Sequence, residues 1–246
     1  MSIATNLSDV RGRIAAAAER SGRSPSDVTL VAVSKTFGVD KVREAWDAGQ
    51  REFGENKVQE GLQKIGETTD IPARWHLIGH LQSNKAKKAA AAFASIQSLD
   101  SLELLQRLDE ATASRESGSG PLEVLVQVDF AGEATKFGAP PDEAERIVRA
   151  VSTASRVRLA GLMLLPPWSD DPEQSRPWFA RLREFRDRLV ASGVSAQALK
   201  HLSMGMSHDY EAAIEEGATI VRVGTAIFGA RTAAHRTMTE SLPKSL

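Results

Sequence analysis

The chain has 246 residues, of which 41% are hydrophobic and 26% are charged, with a formal net charge of -1 and no cysteine. The balanced charge argues against a nucleic-acid partner held by bulk electrostatics, and the lack of cysteine excludes disulfides and thiolate catalysis. No apolar stretch approaches the ~20 residues of a membrane span, so we expect no membrane partner. The first residues lack the basic and apolar regions of a signal peptide, and we therefore expect a cytoplasmic protein.

A helix is predicted over 6–21, with Gly22 as its stop, and strands and helices alternate after it. Runs of β-branched and other apolar residues predict the strands, and apolar residues at helical spacing predict the helices. The first predicted strand, over 28–35, ends on Lys35. The next predicted elements are a helix from Val39 to Gly49, a strand over 51–54, a helix over 55–65 closed by Gly66, a strand over 74–79, a helix over 82–93, a strand over 95–99 and a helix over 101–113.

The serine- and glycine-rich stretch over 114–120 is typical of a surface loop. The alternation of strands and helices resumes after this stretch. The remaining predicted elements are a strand over 122–128, a helix from Pro140 and Pro141 to about Ala154, a strand over 157–164, a helix over 172–191, a strand over 199–203, a helix over 209–216 and a strand over 219–223.

Eight strands alternating with helices predict an α/β fold, a single (β/α)8 TIM barrel with an extra N-terminal helix. A doubly wound open sheet is the alternative, but no Gly-x-Gly-x-x-Gly turn follows the first strand. No linker of the domain-boundary type is present. We therefore expect one domain over 1–246, with a barrel core over about 28–231, and a monomer.

Lys35 stands at the end of the first predicted strand, where an unpaired ammonium is costly to desolvate. It could cap the strand and reach water, or it could lose its proton and form a Schiff base with a carbonyl compound. Val31, Val33 and Lys35 share one face by alternation. If that face is the barrel interior, Lys35 points into the end of the barrel where such folds place their active sites.

Small residues follow the last two predicted strands, at Ser203–Ser207 and at Gly224 and Thr225. Barrels often bind phosphate at these two positions, through backbone amides and hydroxyls, although tight turns also need small residues. A phosphate site opposite a lysine indicates a phosphorylated aldehyde, and pyridoxal 5′-phosphate fits. Arg222 shares a face with Ile220, so it could reach the barrel mouth and disfavour protonation of a pyridine nitrogen; pairing with a carboxylate is the alternative.

Six segments carry a resemblance that runs from about residue 7 to residue 231. The Phe-Gly-Glu-Asn string beginning at Phe53 and the Ser-Met-Gly-Met-Ser string at 203–207 are its most specific parts. The sequence resembles the pyridoxal phosphate homeostasis protein family, also called the proline synthase co-transcribed family. The matching segments are 31–36, 53–60, 75–85, 161–163, 202–207 and 221–229.

The resemblance implies a barrel like the N-terminal domain of alanine racemase, with pyridoxal 5′-phosphate held as a Schiff base on Lys35. It also implies phosphate contacts from the segments around Ser203 and around Gly224, and it places Asn56 toward the cofactor. We expect His76 to orient a neighbour in the barrel mouth. Together with the strand-end positions, this predicts cofactor-binding residues Lys35, Asn56, His76, Met163, Ser203, Met204, Arg222, Gly224 and Thr225.

Some positions depart from the family pattern. Gln97 stands where histidine is common, and Asp129 and Thr135 stand where asparagine and serine are usual. His76 and His80 are four apart, which suits a metal only on a helix, and here they straddle a strand end. We expect no metal.

The resemblance implies a role in intracellular pyridoxal phosphate homeostasis, with buffering of the cofactor and delivery to apo PLP-dependent enzymes. The alternatives are a PLP-dependent amino-acid racemase and a Schiff-base aldolase. Racemisation needs acid–base groups on both faces of the substrate carbon, and alanine racemases take one of them, a tyrosine, from a second domain. We expect this chain to leave no room for that domain, and its single tyrosine, Tyr210, is predicted to pack in a helix. We expect a carrier without robust catalysis, and weak racemase activity stays open.

Overall fold

The computed structural model describes residues 2–112, 120–132, 137–151, 153–154 and 156–230. Most of the serine- and glycine-rich stretch, Thr135 and the predicted end of the barrel core at 231 lie outside these residues. The prediction of one domain over 1–246 therefore stays a prediction.

The strands of the described residues form a closed barrel, which confirms the predicted (β/α)8 architecture. Each strand pairs in parallel with the next, and the last returns to the first with Val31 opposite Arg222. The strands are Thr29–Val33 (β1), Glu52–Glu55 (β2), Arg74–Leu77 (β3), Ser95–Leu99 (β4), Leu122–Val128 (β5), Val157–Leu164 (β6), His201–Met206 (β7) and Ile220–Val223 (β8).

Helices precede the barrel and connect its strands. Short 3₁₀ helices at Pro25–Asp27, Ser83–Lys85 and Pro172–Ser175 add single turns. The α-helices of the described residues are Ile3–Arg20 (α1), Val39–Asp47 (α2), Val58–Glu67 (α3), Ala86–Ala92 (α4), Leu102–Thr112 (α5), Pro141–Val151 (α6), Arg176–Ala191 (α7), Tyr210–Glu215 (α8) and Thr225–Phe228 (α9).

The barrel separates two hydrophobic clusters because successive strand residues point to opposite sides. The larger cluster lies between strands and helices, where the rings of Phe53 and Trp75 are 5.4 Å apart. The smaller cluster lies inside the barrel and contains Val31, Leu125, Ala160, Met163 and Ile220. The rest of the interior is available for polar side chains, and these lead to the site described below.

The extra helix α1 supports the two helices that flank β8. The Asn6 side-chain amide donates a hydrogen bond to the Ile227 carbonyl oxygen at 2.8 Å. Arg20 at the end of α1 pairs with Glu215 of α8, 2.7 Å away. The helix therefore holds α8 and α9 against the outside of the barrel.

Several predicted boundaries were wrong. The helix predicted over 55–65 begins only at Val58, because Glu55 ends β2, and it runs past Gly66 to Glu67. The strand predicted over 28–35 ends at Val33, so Lys35 lies in the following turn. The helix predicted over 82–93 divides into a 3₁₀ turn and α4. The strand predicted over 199–203 runs from His201 to Met206.

Among the described residues, no helix is both long enough and apolar enough to span a lipid bilayer.

Candidate functional site

A cavity of about 430 Å³ opens at the carboxyl ends of the barrel strands. Its volume falls within the usual range for small-molecule sites, roughly 300–1,000 Å³. Five of the predicted cofactor-binding residues meet there: Lys35, Asn56, Arg222, Gly224 and Thr225. The other lining residues are Val33, Ile78, Leu165, Trp168, Met206, Ser207 and His208. We call this space the mouth cavity.

A larger depression of about 770 Å³ lies outside the barrel, along α4 and α5. Ser83, Lys87, Glu103 and Arg107 are among its lining residues. None of the predicted site residues lines it, so its size does not make it the functional site.

Lys35 reaches the mouth cavity from a strained turn that follows β1. The next residue, Thr36, has φ +69°, a left-handed conformation that is unfavourable for a residue with a branched Cβ. The Thr36 amide donates a hydrogen bond to Glu60 Oε1 at 2.5 Å, and the Phe37 amide donates one to the Ser34 carbonyl oxygen at 3.0 Å. Such strain persists where the surroundings hold it, often at functional sites.

A buried group of charges lies beneath this turn. Lys64 Nζ donates to the Ser34 carbonyl oxygen at 2.7 Å, to Glu55 Oε1 at 2.6 Å and to Glu60 Oε1 at 2.9 Å. The Ser34 hydroxyl also donates to Glu55 Oε1, at 2.6 Å. Burial raises the pKa of Glu55, while the neighbouring Lys64 charge opposes that rise. We call these four residues the Lys64 cluster.

Asn56 is placed by a close approach of two loops. It follows β2, and Gly79 follows β3 next to it. A Cβ atom at Gly79 would lie 2.2 Å from the Asn56 carbonyl oxygen, so a glycine is needed there. The Gly79 carbonyl oxygen in turn accepts a hydrogen bond from Ser98 at 2.7 Å.

The opposite wall of the mouth cavity comes from the ends of β7 and β8. Ser207 Oγ accepts hydrogen bonds from the Gly224 amide at 3.0 Å and from the Ala226 amide at 3.5 Å. Gly205 has φ +91°, and a Cβ there would lie 2.6 Å from Ala213 Cβ. The glycine therefore lets β7 turn so that Met206 and Ser207 line the cavity.

Arg222 is almost fully buried, with 3% of its surface exposed, yet it lines the mouth cavity. Its Nη1 donates to Ser203 Oγ at 2.6 Å, and the Ser203 hydroxyl donates to Gln97 Oε1 at 2.6 Å. Gln97 Nε2 lies 3.2 Å from His76 Nδ1, and His76 Nε2 lies 2.6 Å from Glu52 Oε2. We call this chain, from Arg222 to Glu52, the Arg222 relay.

All the hydrogen bonds of the Arg222 relay can point the same way. With a neutral His76 that carries its proton on Nε2, each residue donates to the next until the Glu52 carboxylate accepts. The second guanidinium nitrogen, Arg222 Nη2, donates to the Leu164 carbonyl oxygen at 2.8 Å. Burial lowers the pKa of Arg222 to about 10, so it stays a cation at neutral pH.

Four predicted site residues lie elsewhere. His76 and Ser203 belong to the Arg222 relay, and Met163 packs in the cluster inside the barrel. Met204 points outward into the cluster beneath the helices. The reason is that β7 continues to Met206, so the wall of the cavity comes from 206–208 and not from the predicted 203–204.

His76 and His80, which are four residues apart in the sequence, do not converge. His80 Nδ1 lies 3.3 Å from Asp100 Oδ2, and its ring stacks on Phe137 with centroids 3.7 Å apart. His76 points into the barrel toward Gln97 and Glu52. Over the described ranges, no three His, Cys, Asp or Glu side chains gather as a metal site would require.

Tyr210 is buried at the start of α8, as the sequence predicts for a packing residue. The guanidinium carbon of Arg13 lies 5.2 Å from its ring centroid. Burial raises the pKa of the Tyr210 hydroxyl. Tyr210 is not among the residues that line the mouth cavity.

Sequence reasoning missed the residues that support the site. Glu60 and Lys64 were not singled out within the predicted helix, although their i, i+4 spacing is typical of an ion pair. Trp168 keeps 71% of its surface exposed at the edge of the cavity, with its ring centroid 5.2 Å from that of His208. Gln97 was noted only as a departure from the family, although it is the centre of the Arg222 relay.

The lining of the mouth cavity suits an anionic aromatic aldehyde. Lys35 supplies an amine that can attack a carbonyl carbon, and Arg222 supplies a buried positive charge. Ser207 and Thr225 supply hydroxyls beside the backbone amides at the start of α9. Ile78 and Leu165 supply apolar surface for a ring.

Comparison with known proteins gives a consistent result. The family model for the N-terminal domain of alanine racemase matches residues 5–232. The pyridoxal phosphate homeostasis protein of Pseudomonas aeruginosa is 46% identical over 229 residues, which cover 93% of this chain and 96% of that protein. The protein of the same name from Aquifex aeolicus is 42% identical over 231 residues, covering 94% and 99%.

Solved structures agree with this result. PipY of Synechococcus elongatus, solved with PLP bound, is 38% identical and superimposes with a TM-score of 0.80, covering 93% of this chain and 100% of that one. Alanine racemase of Corynebacterium glutamicum is 17% identical with a TM-score of 0.68, covering 93% of this chain and 61% of that one. The racemase therefore shares the fold alone.

Proposed function

The chain belongs to the pyridoxal phosphate homeostasis protein family, and from this we propose that its mouth cavity holds pyridoxal 5′-phosphate for intracellular buffering and delivery. The observation that carries the proposal is the meeting of Lys35, Arg222 and Thr225 in one cavity of about 430 Å³. An amine, a buried cation and a hydroxyl-and-amide wall are the groups that a phosphorylated aromatic aldehyde requires.

Each wall of the cavity has a proposed task. Lys35 holds the aldehyde carbon reversibly, as a Schiff base. The hydroxyls of Ser207 and Thr225 hold the phosphate oxygens, which moves the predicted phosphate contact from Ser203 to Ser207. Asn56 faces the cofactor from the side opposite the wall formed by the ends of β7 and β8.

Arg222 governs the chemistry that the cofactor can do. When bound, pyridoxal 5′-phosphate supplies an electrophilic carbon for amines and a ring that withdraws electrons once its nitrogen is protonated. The positive charge of Arg222 disfavours a proton on any nitrogen close to it. A bound ring facing Arg222 is therefore a poor electron sink, which suits storage of the cofactor better than turnover.

The arrangement of acid–base groups favours binding over racemisation. A racemase needs a proton donor or acceptor on each face of the substrate carbon. Lys35 supplies one such group at the cavity, while the single tyrosine of the sequence, Tyr210, is 1% exposed and packs against α1. We propose a carrier in which Tyr210 does not supply this second group.

The proposed role includes recipients for the cofactor. The recipients would be apo PLP-dependent enzymes, reached in the cytoplasm by a monomer. Trp168 stands exposed at the edge of the cavity, so the bound cofactor lies close to a surface that a recipient could approach.

The test is transfer of the cofactor to an apo-enzyme. The wild-type protein and Lys35→Ala are each loaded with pyridoxal 5′-phosphate, freed of excess cofactor and mixed with a purified apo-aminotransferase. We expect wild type to show a visible absorption band and to restore aminotransferase activity, and Lys35→Ala to lack the band and to transfer little. Lys88→Ala, which removes an exposed lysine on α4, serves as the matched control.

Two results would contradict the proposal. A wild-type protein that stays colourless with added cofactor would refute binding through Lys35. Racemisation of common amino acids at ordinary enzyme rates, roughly 1–1,000 per second, would replace the carrier by a racemase.

A further inference from the structure

We propose that Glu60 and Lys64 are positioning residues for Lys35, acting as a clamp on the two peptide groups that flank it. Lys64 Nζ holds the carbonyl oxygen of Ser34 at 2.7 Å, on the amino side of Lys35. Glu60 Oε1 holds the amide of Thr36 at 2.5 Å, on the carboxyl side. Because both backbone bonds come from one ion pair on α3, the helix sets the direction in which the Lys35 side chain leaves the chain.

The ion pair is built to be rigid. Lys64 Nζ bonds Glu60 Oε1 at 2.9 Å and Glu55 Oε1 at 2.6 Å, with 6% of the Lys64 side chain exposed. Charged hydrogen bonds of this kind are stronger than neutral ones. Ser34 adds a bond from its own hydroxyl to Glu55 at 2.6 Å, so the turn is held by its side chain as well as by its backbone.

The clamp holds Thr36 in a strained backbone conformation. Thr36 is the one non-glycine residue with positive φ in the described part of the chain, at +69°, and its buried Oγ1 has no hydrogen-bond partner there. A threonine released from the clamp would relax toward negative φ, and the peptide groups on both sides of Lys35 would rotate. The amine of Lys35 would then leave its position in the mouth cavity.

The inference rests on the proposed attachment of pyridoxal 5′-phosphate to Lys35 and adds that the rate of attachment depends on the clamp. The measurement is the rate at which full-length protein captures the cofactor, followed by absorbance. The attachment site is identified by borohydride reduction and peptide mass spectrometry. Melting temperatures recorded beside the rates separate positioning from loss of fold.

Three variants test the contribution of the clamp to cofactor capture. Glu60→Ala removes the acceptor for the Thr36 amide and is expected to slow capture about tenfold or more, since small misplacements of a reacting group have effects of that size. Glu60→Gln keeps an oxygen acceptor and is expected to stay within about threefold of wild type. Thr36→Gly in the Glu60→Ala background is expected to restore part of the rate, because glycine adopts positive φ without strain.

The matched control is Glu67→Ala, which removes an exposed carboxylate from the same helix and should leave capture unchanged. The inference is overturned if Glu60→Ala captures the cofactor at the wild-type rate and only its melting temperature falls. It is also overturned if Glu60→Gln is as slow as Glu60→Ala and Thr36→Gly restores nothing, since charge and not backbone geometry would then matter.

Measurements on ligand-free protein distinguish a failure of this inference from a failure of the proposed function. If wild type attaches no cofactor at Lys35, the proposed function fails, and the clamp is judged by two other measurements. These are hydrogen exchange of the Thr36 amide and reductive methylation of Lys35 by formaldehyde, each compared between wild type and Glu60→Ala. Changes in both support the clamp, and no change in either refutes it.

Discussion

Two buried cations lie close to the mouth cavity, and their surroundings differ. Lys64 contacts two carboxylates directly, at 2.6 Å and 2.9 Å. Arg222 makes its hydrogen bonds to neutral oxygens, those of Ser203 and Leu164. The carboxylate of the Arg222 relay, on Glu52, stands at the far end of the chain, beyond Gln97 and His76.

The difference separates a charge that holds the backbone of the Lys35 turn from a charge that faces the ligand. A cation with carboxylates in contact is compensated and presents little charge to its surroundings. Arg222 donates its hydrogen bonds to neutral oxygens, and the Asp209 carboxylate acts on it only through space. Arg222 therefore directs more of its charge toward the mouth cavity. We therefore expect Lys64 to matter most for stability and Arg222 to matter most for the ligand.

The largest expected effect is on folding, through Lys64→Met. The substitution leaves the Glu55 and Glu60 carboxylates beneath the turn without their cation, and breaking such a buried pair costs about 3–5 kcal/mol. Urea denaturation of ligand-free protein measures the loss. Lys88→Met on the exposed face of α4 is the control and should stay within about 0.5 kcal/mol of wild type.

Arg222→Met should weaken ligand binding more than it weakens folding. Removing a desolvated cation that contacts no carboxylate is expected to change the free energy of unfolding by less than about 2 kcal/mol. The dissociation constant for pyridoxal 5′-phosphate should rise roughly tenfold to a hundredfold, since hydrogen bonds to charged groups contribute about 1.5–3 kcal/mol. Spectroscopic titration measures the affinity, and an unchanged affinity with a stability loss as large as that of Lys64→Met would contradict the distinction.

Gln97→Met tests whether the Arg222 relay is continuous. The substitution keeps the size of the side chain and removes the partner of both Ser203 and His76. Leaving buried polar groups unpaired is expected to lower the free energy of unfolding by about 1–2 kcal/mol. Gln106→Met, which removes only an exposed hydrogen bond to Glu110, is the control; equal effects of the two variants would mean that the relay contributes nothing.

The smallest expected effect is on the pH dependence of the free energy of unfolding. Burial raises the pKa of Glu55, so its contribution to stability is present at low pH and falls as pH rises through the raised value. The hydrogen bond from Arg176 lowers the pKa of Glu215, so its contribution is present at neutral pH and falls as pH drops through the lowered value. Between about pH 4 and pH 7, the stability deficit of Glu55→Gln should shrink and that of Glu215→Gln should grow. Deficits that move in the same direction would contradict this assignment.

The order and the ends of several strands were predictable because they depend on local pattern. The boundaries of β4, β5 and β6 agree with the predicted strands residue for residue. β5 and β6 carry runs of apolar residues that are buried on both faces, as is typical of strands in a parallel barrel, whereas β4 is a buried mixture of polar and apolar residues. The boundary of β2 failed at Glu55, a polar residue that pairs with Leu77 of β3 and is buried against Lys64.

By itself, the sequence determined the alternation of strands and helices, the number of strands and the position of Lys35, Arg222 and Thr225 near the ends of the first and last strands. These follow from periodicity, which neighbouring residues carry. Only the tertiary structure decided which cation is compensated. Ser203 meets Gln97 across 106 positions of the chain, and Lys64 meets the Ser34 carbonyl oxygen across 30. Such contacts depend on how the closed barrel brings separate strands and helices together, and no local pattern specifies them.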